Sequence, residues 1–285
     1  MSVQLVDQAQ KLRELVEARQ EIRVVSVASG KGGVGKSSLS VNLAIALSRL
    51  GVRVLVVDAD FGLANVDVML GVTSRYNFSH YLSGDKTLPE IIQLGHEGVR
   101  FISGGSGLSD LINMGEDQLE KLMDGLTSLE LPIDFIIIDT GAGINEKIVQ
   151  MVLSSSETIV ATTTEPTAIL DAYALVKTIT RQHSSHPIHV LINKCANEEE
   201  ARRIMDGFIE FIERHLGKIV SPLGFVTFNH EVPQSIKRQI PITVSAPNGV
   251  TSKEITRIAR AVLDLPVEEA HNSILSRIFS RMRGN

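Results

Sequence analysis

The stretch GKGGVGKS, residues 30–37, constrains the fold and the chemistry of this chain more than any other part of its sequence. It fits the pattern GxxxxGK[S/T], and it lies between an apolar run and a pattern of apolar residues at helical spacing. Glycines let a backbone curl until its N–H groups point at phosphate oxygens, and the helix that follows adds the positive end of its dipole. The stretch therefore predicts a strand, a phosphate-binding loop and a helix, in that order.

The same alternation of apolar runs and helical patterns continues along most of the chain. Strands are predicted at 23–29, 52–58, 99–104, 134–139, 158–164, 189–194 and 223–228. Helices are predicted at 35–51, 116–128, 144–155, 167–182, 197–215 and 251–264. The hydrophobic fraction, 43%, is mostly Val, Ile, Leu and Ala, which suits parallel strands buried on both faces. We expect an α/β fold over 22–267, a single-domain P-loop NTPase whose mostly parallel central sheet is flanked by helices.

The side chains of the phosphate-binding loop have distinct expected roles. Lys36 is expected to contact the β- and γ-phosphates of a nucleotide and to assist catalysis, and the Ser37 hydroxyl is expected to ligate Mg²⁺. The remaining contacts are expected from backbone N–H groups along the loop. The expected nucleotide-binding residues are Gly30, Lys31, Gly32, Gly33, Val34, Gly35, Lys36, Ser37 and Ser38.

Three aspartates follow apolar strands and are the candidate acids of a magnesium–nucleotide site. Asp58 and Asp60 end the second strand, and Asp139 ends a run of three isoleucines. A carboxylate at the end of a buried strand loses hydration, so it needs a partner, which a metal ion with its water shell supplies. We expect Asp139 and Asp58 to hold Mg²⁺, directly or through water, and Asp60 to orient the attacking water. The simpler interpretation for any one of them is a helix cap or a turn residue.

The loop also holds a second lysine, Lys31, which it does not need for its own nucleotide. Lys36 opens the helix and faces the bound phosphates, so a second ammonium group aimed at the same γ-phosphate would crowd like charges. A nucleotide bound by a second copy of the chain, across a twofold axis, gives Lys31 a target. In that position Lys31 would act in trans, as an arginine finger does. The simpler interpretation is a solvated surface lysine.

Three motifs together resemble the deviant Walker-A ATPases of the MinD/ParA family, in the SIMIBI class of P-loop NTPases. They are KGGVGKSS at 31–38, DADFGLANVD at 58–67 and DTGAGI at 139–144. The resemblance implies ATP and Mg²⁺ as cofactors, and an ATP-dependent, face-to-face homodimer in which Lys31 reaches the partner's phosphates. It also implies that Asp139 is the switch II acid, that Asp60 is the switch I catalytic acid, and that ATP hydrolysis is slow and regulated by partners.

The residues on the base side follow the family's pattern only in part. Asn193, in LINK, matches the asparagine that reads adenine in that family, although a turn residue at a strand end is the simpler interpretation. Relatives often carry Pro and Asp in the loop after the strand that ends near 228, where this chain has Thr227 and Asn229. The resemblance therefore leaves the contacts between this loop and the base open.

The last residues, 268–285, fit an amphipathic helix at a membrane surface. The apolar residues share one face of this helix, the arginines lie toward the other face or its edges, and no acidic residue follows Glu269. This pattern is typical of a helix on an anionic membrane, and it is similar to the membrane-targeting helix of MinD proteins. One such helix binds weakly, so an ATP-bound dimer with two copies would bind better through avidity; a helix packed on its own domain or on another protein is the alternative. The expected membrane-facing residues are Ile274, Leu275, Ile278, Phe279 and Met282.

The first residues, 1–21, can form an amphipathic helix, which is either an activator segment or a helix docked on the body. DQAQKLR at 7–13 and EPTAILDAYALVK at 165–177 resemble the FlhG (YlxH, FleN) subgroup of the family, which controls flagellar number and placement. That resemblance implies stimulation of FlhF, a GTPase of the signal-recognition-particle type, and contacts with flagellar basal-body or C-ring components. Gln8 suits the role, because a glutamine can orient the attacking water in a partner's site. The expected partner-binding residues are Asp7, Gln8, Leu12 and Arg13.

Composition weighs against several other protein classes. The net charge of −5 gives no global reason to expect nucleic-acid binding, so a ParA-type DNA segregation ATPase is less favoured than a MinD-type division-site regulator, the main alternative. Cys195 is the only cysteine, which leaves no internal disulfide and no cysteine pair to bridge an iron–sulfur cluster. The polar N-terminus does not fit a signal peptide, and no apolar run approaches the roughly 20 residues of a membrane span. We expect a cytoplasmic protein that visits the inner face of the cell membrane reversibly.

Overall fold

Helices and strands alternate along the computed structural model of the chain, which describes residues 22–60, 65–105 and 116–265. The strands are β1 (Arg23–Ser29), β2 (Val54–Ala59), β3 (Gln93–Leu94), β4 (Arg100–Ile102), β5 (Phe135–Ala142), β6 (Glu157–Thr162), β7 (Ile188–Cys195) and β8 (Ser221–Thr227). The longer helices are α1 (Lys36–Arg49), α5 (Glu116–Thr127), α6 (Glu146–Leu153), α7 (Pro166–Gln182), α8 (Glu198–Leu216) and α11 (Val250–Val262). The shorter helices are α2 (Val66–Leu70), α3 (Phe78–Leu82), α4 (Leu88–Ile91), α9 (Glu231–Lys237) and α10 (Ile242–Ser245).

The strands of the described residues join one sheet in the order β3-β4-β2-β5-β1-β6-β7-β8. Neighbouring strands run parallel except at one edge, where β3 pairs antiparallel with β4. This mostly parallel sheet and its flanking helices confirm the predicted α/β fold. Because the strands are parallel, the carboxyl ends of β1, β2 and β5 meet along one edge, which is where ligands bind in such sheets.

Alternate residues of the strands pack against helices on opposite faces of the sheet. In β2, Val54 and Val56 join the apolar cluster that includes α1 and α11, whereas Leu55 and Val57 join the cluster that includes α5. A third cluster joins β6 and β7 to α7 and α8. Burial on both faces explains why the strands appear in the sequence as nearly continuous apolar runs.

Helix α1 is bounded by Gly35 and Gly51, the two glycines at the ends of the predicted helix 35–51. Gly35 precedes its first residue, Lys36, with a φ of 97°, and Gly51 follows its C-cap with a φ of 89°. Both values lie in the left-handed region, which glycine adopts without the steric cost that a Cβ brings. Most residues of α1 are buried, because the helix packs between the sheet and α11.

The elements that the sequence did not predict are short. Strand β3 has two residues and each of the shorter helices has four to seven, which is too few to show a clear periodic pattern. Local capping helps to define two of them: Asn77 caps α3, and Thr87 forms a capping box with Glu90 at the start of α4. Predicted boundaries also shift, since β5 runs on to Ala142 instead of ending at 139.

Arg23, the first residue of β1, ties the start of the described chain to the end of α11. Its guanidinium donates hydrogen bonds to the Val262 carbonyl oxygen and to both carboxylate oxygens of Glu157. The Nε2 atom of His189 lies 2.7 Å from Oε2 of the same carboxylate. Burial alone would raise the pKa of Glu157, but its hydrogen bonds with His189 and Arg23 lower that pKa to about 2. This polar junction lies at the amino end of β1, opposite the edge that carries the phosphate loop.

The two predicted terminal segments, 1–21 and 268–285, fall outside the described residues, so their roles and the domain boundaries stay predictions. The same holds for the partner-binding residues Asp7, Gln8, Leu12 and Arg13, and for the membrane-facing residues Ile274, Leu275, Ile278, Phe279 and Met282. Within the described ranges, no helix combines the length and the apolar character that crossing a membrane requires.

Candidate nucleotide-binding site

A cavity of about 620 Å³ opens at the carboxyl edge of the sheet, beside the phosphate loop. The loop and the start of α1 line one part of it, and the loop after β8, with α9 and α11, lines another. Cavities of this size hold small organic ligands and cofactors. Of the predicted site residues, the lining includes Gly32, Gly33, Gly35, Lys36, Ser37, Ser38, Asp60 and Asn193. It does not include Gly30, Lys31, Val34, Asp58 or Asp139.

Two glycines and their surroundings give the phosphate loop its shape. Gly33 and Gly35 have φ values of 79° and 97°, so both lie in the left-handed region. The Ser29 hydroxyl donates a hydrogen bond to the Lys31 carbonyl oxygen at 2.8 Å, which closes the turn that leaves β1. A Cβ at Gly35 would lie 2.6 Å from Asn193 Nδ2, so this position also has no room for a side chain. Contacts within the protein therefore hold the loop in the curved conformation that lets its backbone N–H groups point at phosphate oxygens.

Lys36 is the loop lysine that faces the cavity. The residue is 7% exposed, and burial lowers the pKa of its ammonium group, while the charges of Asp139 and Asp60 oppose that shift. A partly desolvated cation in a cavity wall attracts phosphate oxygens more strongly than one in water does. This placement suits the predicted contact between Lys36 and the β- and γ-phosphates.

Asp139 has the features of a magnesium-binding carboxylate. It is fully buried, its Oδ1 accepts a hydrogen bond from the Ser40 hydroxyl at 2.9 Å, and its Oδ2 has no hydrogen-bond partner. Burial raises the pKa of this carboxyl to about 6, and the hydroxyls of Ser37 and Ser40 partly offset that shift. A buried oxygen without a partner is costly unless a bound group supplies one. Asp139, whose carboxyl interacts with Ser37 and whose Oδ2 lacks a partner, therefore fits Mg²⁺.

The rest of a magnesium shell would come from the nucleotide and from water. In the part of the chain that the structure describes, no three His, Cys, Asp or Glu side chains form a metal-binding group of their own. Mg²⁺ commonly binds through one or two protein oxygens and completes its six-coordinate shell with phosphates and waters. The donor set of Ser37 and Asp139 agrees with that pattern.

Asp58 has a different environment, although it pairs in register with Asp139 on the neighbouring strand. Its Oδ1 accepts a hydrogen bond from the Asp60 N–H at 3.1 Å, and its Oδ2 accepts from the N–H groups of Asn65 and Val66 at 2.8 and 3.0 Å. Burial and the charge of Asp139 raise the pKa of Asp58 to about 7, and the three N–H groups oppose that shift. The Asp58 carboxyl therefore stabilises the turn that follows β2. A magnesium contact by Asp58 stays a prediction, and it would compete with these hydrogen bonds.

Asp60 lines the cavity and faces the loop that follows β5. A Cβ at Gly141 would lie 3.5 Å from Asp60 Oδ1, so the carboxylate and this glycine are close neighbours. The charge of Asp60 also acts on two neighbouring groups: it opposes the lowering of the Lys36 pKa that burial causes, and it adds to the rise in the pKa of Asp139. Asp60 therefore lies near Lys36 and Asp139, the groups predicted to hold the γ-phosphate and Mg²⁺. This position suits its predicted role of orienting the attacking water.

Lys31 lies outside the cavity and pairs with the start of α7. Its Nζ lies 2.9 Å from Glu165 Oε2 and 2.9 Å from Thr167 Oγ1. The Lys31 side chain is 39% exposed and that of Glu165 is 66% exposed, so the ion pair is of the weak surface type. The structure thus separates the two lysines of the loop: Lys36 belongs to the cavity wall, and Lys31 belongs to the protein surface.

Asn193 and Lys194, at the end of β7, hold the phosphate loop in place. The Asn193 Nδ2 donates to the Val34 carbonyl oxygen at 2.7 Å, and its Oδ1 accepts from the Lys194 N–H at 3.0 Å. Lys194 has a φ of 59°, and its Nζ donates to the Gly33 carbonyl oxygen at 2.7 Å. The adenine contact of Asn193 stays a prediction, since both ends of its amide bond to the chain itself. Sequence reasoning did not single out Lys194, whose only signal is its place after Asn193.

We expect Gly30→Ala to destabilise the protein, because Gly30 packs against the backbone of α7. A Cβ at position 30 would lie 2.2 Å from the Asp171 carbonyl oxygen, whereas a Cβ at Gly32 would have no contact closer than 3.8 Å. Forcing the loop and the helix apart should lower the free energy of unfolding by about 3 kcal/mol. Thermal unfolding of the nucleotide-free protein measures the effect, with Gly32→Ala as the matched control. Equal melting temperatures for the two variants would contradict this close packing.

A protein-family model and several known proteins are similar to this chain over most of its length. The ParA family model, described as NUBPL iron-transfer P-loop NTPase, matches residues 21–263. Antiactivator FleN of Pseudomonas aeruginosa is 32% identical over 246 residues, which cover 86% of this chain and 88% of FleN. Flagellum site-determining protein YlxH of Helicobacter pylori is 33% identical over 239 residues, which cover 83% of this chain and 80% of YlxH.

A solved structure agrees with this assignment at the level of the fold. The septum site-determining protein MinD of Pyrococcus horikoshii, complexed with Mg-ADP, has a TM-score of 0.71 at 24% identity, and the match covers 90% of this chain and 98% of MinD. The family match spans all of the strands and helices described above, and it includes the phosphate loop. The chain therefore belongs to the ParA/MinD family of P-loop NTPases.

Proposed function

We propose that this chain is an ATP-dependent spatial regulator, which hydrolyses ATP, forms an ATP-sandwich homodimer, binds the membrane reversibly and controls flagellar number and placement. The observation that carries the proposal is the separation of the two loop lysines. Lys36 is buried in the cavity wall, whereas Lys31 lies outside it, 2.9 Å from the exposed carboxylate of Glu165. A surface lysine in the phosphate loop, held by an exposed ion pair with Glu165 and a hydrogen bond to Thr167, is suited to a nucleotide in a second copy of the chain.

The proposed reaction converts ATP and water to ADP and phosphate. The water oxygen forms a bond to the γ-phosphorus as the bond to the bridging oxygen of ADP breaks. Asp60 would orient the water and accept its proton. Lys36 would hold phosphate oxygens, and Ser37 and Asp139 would hold Mg²⁺. The metal ion, when bound, neutralises charge on the β- and γ-phosphates. Because Lys31 would come from the partner, hydrolysis would be slow in a single chain and would respond to partners.

Two of the sequence relatives support the flagellar role over other members of the family. FleN is named as an antiactivator, and YlxH as a flagellum site-determining protein. The segments at 7–13 and 165–177 resemble the same subgroup. A MinD-type division-site regulator is the second candidate, because MinD has the same fold. A ParA-type DNA segregation ATPase is less favoured, since the net charge of −5 offers no global attraction to nucleic acid.

The iron-transfer part of the family description is not proposed for this chain. Bridging an iron–sulfur cluster between two protomers requires accessible cysteine thiolates. Cys195 is the only cysteine of the sequence, it is buried, and its Sγ donates to the Val226 carbonyl oxygen at 3.4 Å. Burial also raises the pKa of this thiol to about 11, so it is a poor ligand.

The experiment that tests the flagellar assignment measures GTP hydrolysis by FlhF mixed with the full chain. We expect the chain to stimulate FlhF, and we expect Gln8→Ala to reduce the stimulation about tenfold or more, because Gln8 would orient the attacking water. Gln10→Ala is the matched control, since Gln10 lies in the same segment without an assigned role. Equal stimulation by both variants would contradict the role of Gln8. No stimulation by the wild-type chain would favour the MinD-type function.

We expect the predicted tail helix to place the protein at the inner face of the membrane. Deleting 271–285 should abolish ATP-dependent binding to anionic phospholipid vesicles, because the apolar face and the arginines are lost together. Sedimentation with vesicles measures the bound fraction. Ile278→Glu should act like the deletion, and Ser280→Glu is its matched control on a polar position. Binding that survives the deletion would assign the membrane contact to another surface.

A further inference from the structure

The Ser40 hydroxyl, in the second turn of α1, contacts a carboxylate that is predicted to hold magnesium. Ser40 comes three residues after Ser37, so the two side chains lie on the same face of the helix. The Ser40 Oγ lies 2.9 Å from Asp139 Oδ1, at the end of β5. Ser40 is fully buried, and it lies outside the phosphate-binding motif at 30–37. Asp139 therefore has a partner that the motif does not include.

The Ser40 hydroxyl has one proton and two acceptors within reach. Its Oγ lies 3.1 Å from the Lys36 carbonyl oxygen and 2.9 Å from Asp139 Oδ1. A serine hydroxyl donates a single proton, and a hydrogen bond to an ionised acceptor is stronger than one to a neutral carbonyl. Asp139 binds a metal ion in its ionised form, and in that form it is the stronger of the two acceptors. The Ser40 proton is therefore directed to Oδ1.

This hydrogen bond distinguishes the two oxygens of the Asp139 carboxylate. The backbone of Asp139 is held by both neighbouring strands, since it pairs with Val27 of β1 and with Asp58 of β2. The last torsion of an aspartate side chain is broad, so the backbone does not set the plane of the carboxylate. Ser40 occupies Oδ1, whereas Oδ2 has no hydrogen-bond partner among the described residues. The bond to Ser40 therefore fixes the carboxylate and leaves one oxygen available.

We propose that Ser40 is a positioning residue of the magnesium site, which holds Asp139 Oδ1 and keeps Oδ2 available to Mg²⁺. Losing a residue that hydrogen-bonds to a metal ligand typically lowers metal affinity about 10–100-fold. Ser40 does not line the cavity, so its loss should affect the metal ion and not the nucleotide itself. The inference rests on the proposed nucleotide function and deepens it, because it assigns a residue outside the motif to Mg²⁺ affinity.

The test measures ADP binding to the full chain by calorimetry over a range of Mg²⁺ concentrations. ADP is the probe, because it is not the substrate of the proposed hydrolysis and lacks the γ-phosphate that the proposed dimer requires. For Ser40→Ala we expect the Mg²⁺ concentration that gives half of the metal's effect on ADP affinity to rise about tenfold or more. With Mg²⁺ removed by EDTA, ADP should bind as it does to the wild type. Alanine is smaller than serine and favours helix, so the variant should fold.

Ser252→Ala is the matched control, because it also removes the hydroxyl of a buried serine from a helix. Ser252, in α11, donates its hydroxyl to the Ala246 carbonyl oxygen at 2.7 Å, and it does not line the cavity. The Mg²⁺ dependence of ADP binding should match that of the wild type in this variant. A shift as large as that of Ser40→Ala would assign the effect to the loss of any buried hydroxyl and would overturn the inference.

Two other outcomes would also overturn the inference. One is an unchanged Mg²⁺ dependence in Ser40→Ala. The other is a loss of ADP affinity that is equal with Mg²⁺ and with EDTA, which would show that Ser40 only supports the shape of the loop and α1. Failure of the wild type to bind ADP, or ADP binding that does not respond to Mg²⁺, would instead contradict the proposed function. The two failures are therefore distinguishable.

Discussion

Lys31→Ala is expected to abolish the ATP-dependent dimer while each protomer still binds ATP. Lys31 lies outside the cavity that would hold the chain's own nucleotide, so its loss should leave the first binding step intact. The partner's phosphates would lose a cation in the transition state, and by analogy with an arginine finger we expect hydrolysis to fall about a thousandfold. Size-exclusion chromatography with a non-hydrolysable ATP analogue measures the dimer, and calorimetry measures binding to the protomer.

Glu165→Gln is the matched control for this variant. It removes the charge that pairs with Lys31 at 2.9 Å and leaves the lysine itself in place. An exposed ion pair contributes about 1 kcal/mol or less, so the dimer should form at the same or a slightly lower protein concentration. A normal dimer in Lys31→Ala, or its loss in Glu165→Gln alone, would contradict the assignment of Lys31 to the partner's nucleotide.

Asp60→Ala is expected to stop turnover and to accumulate the ATP-bound dimer. Asp60 lines the cavity beside Gly141, and its charge acts on Lys36 and Asp139. Losing the group that positions a water and accepts its proton typically slows hydrolysis about 10²–10⁴-fold. ATP binding and dimer formation should persist, because neither requires the attacking water. Phosphate release and size-exclusion chromatography measure the two effects separately.

A matched control for Asp60 lies nearby in the chain. Asp67, in α2, accepts hydrogen bonds from the Val68 N–H and the Ser103 hydroxyl, and it does not line the cavity. Asp67→Ala should therefore change hydrolysis less than about twofold. Unchanged turnover in Asp60→Ala would remove Asp60 from catalysis and leave Asp139 as the other carboxylate whose charge acts on Lys36.

The fold was predictable because its main elements follow local rules. The phosphate loop identifies β1 and α1 on either side of it, and buried parallel strands such as β5 leave runs of β-branched residues. Where the prediction lacked detail, the cause is distance in the sequence. The partner of Lys31, Glu165, is 134 positions away, and Asn193 bonds to the loop across 159 positions. No local pattern encodes such contacts, because they depend on which strands become neighbours.

The two buried aspartates show the same limit in the site. Asp58 and Asp139 both end apolar strands, and the sequence predicts for both that they hold Mg²⁺. In the folded chain Asp58 receives three N–H groups from the segment after β2, whereas Asp139 keeps one oxygen without a partner. The difference arises from how the chain turns after each strand. Only the fold separates an aspartate that holds a turn from one that is available to a metal ion.

The junction at Arg23 brings together the two points from which the N-terminal and C-terminal segments leave the described chain. The guanidinium binds the carbonyl oxygen of Val262, so the chain enters β1 and leaves α11, the last helix of the described residues, at one point. β1, seven residues long, separates that point from the phosphate loop by roughly 20 Å. If the C-terminal segment, 268–285, rests on a lipid surface, the N-terminal segment, 1–21 (the head segment), is tethered to the same surface. Encounter between the head segment and a partner on that surface then takes place in two dimensions instead of three. Residence at the membrane would then raise the local concentration of the head segment.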